Sequence, residues 1–357
     1  MVETRATSTE RPPAAGESEH RARVPFGRVA LRDAWFPVAH TPHVRTRAIE
    51  RRVHEQPVYL WREGDRIRAA EFGPAELRTR RRDASEFTGG TGEYPVLERY
   101  GYAWVWYGNP ANADAALVPD IPYLPRSGKL PRHLWGTFIF HCTYELVCEN
   151  LLDLTHADFL HGKVVGDSYS ENDEISVEST SETVIMIREA KGRKRSIVQR
   201  LMGICTTTDT LDFRGVTFVH LRSGVTILHG HFKPRSEEEA FSVRLFHPNV
   251  PESKVRTHLP FTFNPKGANW FARNSFPQVT HIVAPQDDRM MRAQNPRYLE
   301  EEDSTDVSSR FDAAGLMYRK RMRQLVERQM AGDFSYRSDC DPGADISKLM
   351  GVDRVSG

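Results

Sequence analysis

The segment CENLLDLTHADFLHG, residues 148–162, most constrains what this chain can fold into. Leu151, Leu152, Leu154 and Leu160 call for a core, yet Asp153, His156, Asp158 and His161 stand among them. Polar groups removed from water must be hydrogen-bonded, charge-paired or bound to a metal, so the fold has to bring partners to this segment. His156 and His161 are separated by roughly 140° on a regular helix. Their rings converge only if the helix is distorted or has ended before His161, and Gly162 is placed to end it.

Composition narrows the classes of function. A chain of 357 residues can bury one large core or two ordinary ones, and two domains are expected. Lys plus Arg number 49 against 48 acidic residues, so no overall field recruits nucleic acid, and the expected partner is a small molecule. The four cysteines, Cys142, Cys148, Cys205 and Cys340, are far apart and lack C-x-x-C spacing, which fits a reducing compartment. No uninterrupted apolar run of about 18 residues occurs, and the N-terminal stretch lacks the apolar core of a secretory signal. A cytoplasmic protein without a membrane span is expected.

Residues 1–25 are rich in Glu, Arg, Ser, Thr and Pro and are expected to be disordered, with little burial to offset ordering. Strand patterns follow at DAWFPVAH, at QPVYLWREGDRIRAAEF, a hairpin turning through Glu63-Gly64-Asp65, and at the aromatic YGYAWVWYG. After a strand at GTFIFHCTYEL and the segment above come TVIMIREA, GVTFVHLRSGVTILHGHF with a turn at Ser223-Gly224, and FSVRLFHP. DDRMMRAQ and SRFDAAGLMYRKRMRQLVERQM are helical, with Phe311, Ala314, Met317 and Leu325 at helical spacing, and the last twenty residues are expected to be loosely held. Strands followed by helices indicate an α+β fold. The expected divisions are a disordered 1–25, a β domain at 26–125, a catalytic domain at 126–335 and a tail at 336–357.

Two histidines and one distant acid on one side of a metal form the facial triad of non-haem iron(II) oxygenases, which leaves positions open for oxygen and substrate. Asp153 stands one turn before His156 and could orient its ring through the carboxylate. The alternative is that these residues are the wet face of an amphipathic helix.

ENLLDLTHADFLH resembles the mononuclear-iron motif of Rieske-type non-haem iron oxygenases, in the vanillate O-demethylase and dicamba monooxygenase branch. LRDAWFPVAH, YPVLERYGYAWVWYGNPANAD and DDRMMRAQ resemble the first strand, the exit from the N-terminal domain and the acid-bearing helix of that family. The resemblance implies that His156 and His161 ligate iron(II), that Asp153 passes electrons toward it, and that Asn150 lies in the next shell of residues. It implies Asp287 as the third ligand, because the family's acid stands seven residues ahead of a glutamine, here Gln294; Asp288 is the other choice. It further implies a degenerate Rieske-like β domain followed by a helix-grip (START-like) catalytic domain with an antiparallel sheet.

One part of the family pattern is missing. A Rieske [2Fe–2S] centre needs two cysteines and two histidines in the N-terminal domain, and residues 55–132 contain neither residue type. GPAELRTRRRDASEFTGGTGEYP stands where a cluster loop would follow, with TGGTGEYP read as a turn. No cluster is expected in this chain, and no further cofactor-binding residue is assigned. The implied activity is monooxygenation or dioxygenation of a small organic substrate with O2, by hydroxylation or oxidative demethylation. Electrons would come indirectly from NAD(P)H through a reductase and a Rieske ferredoxin or a cluster-bearing oxygenase paralogue, in a homo- or hetero-oligomeric trimeric ring. The alternatives are a non-catalytic or regulatory subunit of such a paralogue, or a carrier of hydrophobic ligands. His229 and His231 share one strand face and either line the cavity or serve as surface or hydrogen-bonded residues; RTRRRDASE is read as a solvated basic face or a dock for an acidic partner.

Overall fold

The computed structural model describes residues 29–127, 131, 134–162, 173–205, 208–234, 240–267, 269–300, 309–336 and 346–355. The expected disordered segment 1–25 and Cys340 lie outside them.

Strands β1 (Ala34–His40), β2 (Ile49–Val53), β3 (Gln56–Glu63), β4 (Arg66–Ala70), β5 (Glu93–Tyr94), β6 (Val96–Arg99) and β7 (Tyr102–Tyr107) build the N-terminal part of the molecule. They form two small antiparallel sheets, ordered β1-β7-β6 and β2-β3-β4-β5. The hairpin expected at Glu63-Gly64-Asp65 joins β3 to β4, and Gly64 supplies the left-handed conformation, φ 58°, that the turn requires. All six residues of β7 are buried, which explains why the aromatic run reads so strongly as a strand. The turn between β2 and β3 is less ordinary. His54 and Glu55 both take positive φ, 47° and 69°, which costs a side-chain-bearing residue about 1–3 kcal/mol each. Their N–H groups donate to the carbonyls of Pro251 and Glu252, so this turn ties the N-terminal sheets to the rest of the chain.

The remainder comprises β8 (Phe138–Phe140), helices α1 (Tyr144–Leu152) and α2 (His156–Leu160), β9 (Glu174–Ser179), β10 (Thr183–Lys194), α3 (Ile197–Leu201), β11 (Thr210–His220), β12 (Val225–Lys233), β13 (Phe241–Pro248), β14 (Val250–Ser253), β15 (Arg256–Leu259) and β16 (Thr262–Phe263). Helices α4 (Trp270–Glu300), α5 (Ala313–Met330) and α6 (Ile346–Met350) follow. A six-stranded antiparallel sheet, β16-β13-β12-β11-β10-β9, is the framework, and β14-β15-β8 forms a smaller one. The strand expected across GTFIFHCTYEL stops at Phe140, and the helix begins at Tyr144. Alternation along the large sheet gives it two faces. Val184 and Met186 of β10 pack with Val147, Cys148 and Leu152 of α1 and with Ala314, Tyr318, Met322 and Leu325 of α5. This is the α+β fold expected from the sequence.

The C-terminal segment departs from expectation. Ile346, Met350 and Val352 are buried in the cluster that holds Trp35, Tyr102 and Trp104, and Arg354 pairs with Asp120. Residues 346–355 are therefore packed and not loosely held, because three apolar side chains spaced along a polar stretch are enough to anchor it.

Candidate metal centre

Helix α1 stops at Leu152, Asp153 turns extended with ψ 98°, and α2 starts afresh at His156. His161 is the C-terminal cap of α2, at φ −112° and ψ 11°. The two histidines thus occupy opposite ends of a helix of barely more than one turn, and their rings come to 5.4 Å between centroids. This is the break that the five-residue spacing demanded. Gly162 serves it differently from expectation: its φ is not left-handed, but a Cβ there would lie 2.5 Å from the Asp158 carbonyl oxygen.

Asp287 reaches both rings from the middle of α4. Its Oδ1 lies 3.0 Å from His161 Nε2 and 3.6 Å from His156 Nε2, and one ligand atom from each of the three residues falls within 4.8 Å of the others. The far nitrogens are held as well. His156 Nδ1 contacts the main-chain carbonyl of Asp153, and His161 Nδ1 lies 3.1 Å from Gln286 Oε1. Gln286 Nε2 donates to the Ile282 carbonyl, which leaves its Oε1 to accept from the ring. Acceptors on the far side can hold a proton on Nδ1, so that Nε2, which faces Asp287, is the nitrogen free to give up its proton to a cation. Burial disfavours the His161 cation, but the adjacent Asp287 outweighs it and raises the pKa above its usual value. Two imidazole nitrogens and one carboxylate oxygen converging in this way fit a divalent transition metal such as iron(II).

The neighbouring candidates separate on geometry. Asp288 is engaged elsewhere, accepting from the His141 N–H at 2.6 Å and contacting His141 Nδ1 at 3.0 Å. Asn150 donates to Asp287 Oδ1 at 3.2 Å. Asp153 corrects one expectation: its carbonyl, not its carboxylate, meets His156, because the chain turns out of α1 at this residue. The half-buried carboxylate instead accepts from the Thr155 N–H and hydroxyl, at 2.8 Å and 2.6 Å.

The triad lies in the wall of a cavity of about 230 Å³. Leu228, Gly230 and Phe232 of β12 and Val243, Leu245 and His247 of β13 line it at every second residue, and Val279, Val283, Ala284 and Asp287 of α4 line it at helical spacing. His229 and His231 fall on the opposite face: His229 Nδ1 lies 2.9 Å from the Met350 carbonyl and His231 Nδ1 2.9 Å from Ser242 Oγ. Sequence reasoning missed His247. It is buried, its ring nitrogens have no hydrogen-bond partner among the described residues, and burial pushes its pKa down to about 4. Its position in an alternating strand, inward among apolar residues, was the available signal.

Comparisons with known proteins identify the family. The vanillate O-demethylase oxygenase C-terminal domain family matches residues 140–328, more than half of the chain. The chain belongs to that family. A vanillate O-demethylase oxygenase subunit from Pseudomonas sp. is 32% identical over 101 residues, covering 28% of this chain and 30% of the relative. The oxygenase component of dicamba O-demethylase from Stenotrophomonas maltophilia is 27% identical over 164 residues, 37% of this chain and 48% of that one. The matched stretches therefore span between about a third and a half of these relatives' length. The fold resembles that of dicamba monooxygenase bound to 3,6-dichlorosalicylic acid, with a TM-score of 0.69 at 17% identity over 84% of this chain and 98% of that one. A structure of dicamba monooxygenase with non-haem iron and dicamba gives a TM-score of 0.62 at 18% identity, over the same 84% and 98%.

Proposed function

We propose that this chain is a non-haem iron(II) oxygenase that hydroxylates or oxidatively demethylates a small organic molecule. The observation that carries the reading is the convergence of His156, His161 and Asp287 on the wall of a small, mainly apolar cavity. Iron(II) bound by these three residues would supply activation of dioxygen toward a C–H bond. The chain's own residues do the rest. Asn150 and Gln286 hold Asp287 and His161 in place, while the aliphatic and aromatic walls exclude water from the reacting carbon and limit the substrate to a small one. His247 offers the apolar cavity a ring nitrogen for one polar group of the substrate. The names of two relatives, vanillate O-demethylase and dicamba O-demethylase, support oxidative demethylation of a small molecule.

Residues 55–132 contain no cysteine or histidine, so the reading includes a separate electron donor: a Rieske protein, itself reduced from NAD(P)H through a reductase, docking near Asp153. It also includes assembly in a ring with copies of itself or with a cluster-bearing paralogue, and a division into a β domain at 26–125 and a catalytic domain at 126–335. The same absence favours a second reading, in which the chain is a subunit of such a paralogue and does not turn over.

One experiment separates them. Wild-type protein loaded with iron and supplied with a Rieske donor and reductant is expected to form oxidised product, whereas Asp153→Asn is expected to keep its iron and lose most turnover. Iron-loaded wild type that forms no product from a panel of methoxylated and methylated aromatics favours the subunit. Undiminished turnover in Asp153→Asn removes that residue from the electron path, and absence of iron uptake removes the enzyme reading.

A further inference from the structure

The break between α1 and α2 aims His156, and a break is a place where backbone groups lose their helical partners. At Leu154, in the middle of it, both are recovered from the side chains of a single strand. The Leu154 N–H lies 3.3 Å from Met186 Sδ, and its carbonyl accepts from Arg188 Nη1 at 2.7 Å. Met186 and Arg188 are successive inward residues of β10, two apart, so the strand period itself spaces these two groups. Arg188 is 1% exposed. Its guanidinium also bonds the Asp158 carboxylate, within α2 and between the two histidines, and donates from Nε to Asp173 at 3.0 Å. Arg193 bonds Asp158 from the other side. The planar guanidinium thus spans the break, gripping the chain before His156 and the helix after it. Neighbouring strand β11 makes room: a Cβ at Gly215, which pairs with Arg188, would meet Leu154 Cδ1 at 3.1 Å and the Phe213 ring at 2.7 Å.

We propose that Arg188 is a positioning residue of the metal site, holding the Leu154 carbonyl and the Asp158 carboxylate together and thereby fixing His156 and His161 at the separation their shared metal requires. This rests on the metal-binding reading above. Asp158 and Asp173 pair with Arg188 and Arg193, acid against guanidinium, and the role assigned to Arg188 is geometric. Removing the guanidinium frees the Leu154 carbonyl, leaves Asp158 to Arg193 and takes the Arg188 partner from Asp173, whereas removing Asp173 leaves both contacts that span the break.

Cobalt(II) titration of the full chain tests this, read by affinity and by the visible absorption bands, which report ligand geometry. Arg188→Met is expected to bind cobalt(II) about 10–100-fold more weakly, the cost of losing a group that orients a ligand, with altered bands. Arg188→Lys keeps the charge, and with it the fold, but a single ammonium cannot serve a carbonyl and two carboxylates in one plane; it is expected to show weakened binding and shifted bands as well. Asp173→Asn is expected to melt earlier yet bind cobalt(II) with the wild-type affinity and spectrum. A folded Arg188→Lys protein with wild-type affinity and spectrum overturns the positioning role alone. Wild-type protein that takes up no cobalt(II) or iron(II) overturns the metal-binding reading and this inference with it.

Discussion

Glu71 and Asp287 are equally buried carboxylates, each 5% exposed, in opposite surroundings. Glu71 is closed by its own loop: the Ser85 N–H donates at 2.9 Å, and the hydroxyls of Ser85 and Thr88 donate as well. The Thr88 hydroxyl in turn accepts from the Gly92 N–H, so the loop that follows Glu71 wraps this acid with its own donors. Asp287 draws its partners from across the chain, an amide from α1 and a ring nitrogen from the end of α2, beside a cavity. An acid saturated by hydroxyls and amides is complete as a structural element. An acid faced by imidazoles whose protons are held on their far nitrogens is arranged for a cation.

The largest effect expected from this contrast is at Asp287. Asp287→Ala should abolish uptake of iron(II), a loss exceeding the roughly 10–100-fold that an orienting partner is worth, while leaving the melting temperature within a few degrees of wild type. Metal analysis after dialysis together with calorimetry checks it, and retained stoichiometric iron would erase the difference between the two acids.

A second effect concerns the whole fold. Burial pushes His40, His54, His220 and His258 down to about 3, with Arg51 and Arg256 adding to the shift at His258. Between their unfolded value near 6.5 and that folded value, the unfolded chain binds protons the native one refuses, so stability rises with pH across this window. It is complete above about pH 6.5 and is lost as pH falls toward 3. Glu145 works the other way, since burial raises it to about 7 and its stabilising share falls as pH rises from 4.5. With six histidines lowered, His229 and His247 to about 4 among them, against the raised Glu145 and His161, urea unfolding should show lower stability at pH 5 than at pH 7; the reverse order would mean that these rings are not buried as neutral groups. Because His40 and His54 belong to the N-terminal sheets, this loss should not follow metal content.

The smallest effect is at Glu71. Glu71→Ala leaves several donors unmatched and should cost about 1–3 kcal/mol in urea unfolding, with metal affinity unchanged. A fall in metal affinity would show that the loop around Glu71 reaches the metal centre after all.

How much of this was legible depended on sequence separation. The motif at 150–161 could be read because two histidines sat among leucines within a dozen residues, and their spacing itself demanded the break between α1 and α2. The choice between Asp287 and Asp288 could not be made from local pattern, since both lie on the same turn of α4; the contact of Asp288 with His141 separates them in space. Arg188, Gln286 and His247 were hidden for the same reason. Each reaches the site from an element whose own pattern is satisfied without it, and the meaning of an inward arginine in β10 depends on a carbonyl 34 residues earlier. The hairpins, by contrast, were legible because turn chemistry is local.

Tyr336 donates its hydroxyl to the Asp33 carbonyl across 303 residues of chain, and Met350 shares a cluster with Trp35. Such far-apart pairs form slowly, because long loops must close before any contact rewards them. The opening strands must wait, partly uncovered, until the final helix arrives. Covering Trp35 is therefore a late step of folding, and the hairpins, whose partners are close in sequence, should close well before it.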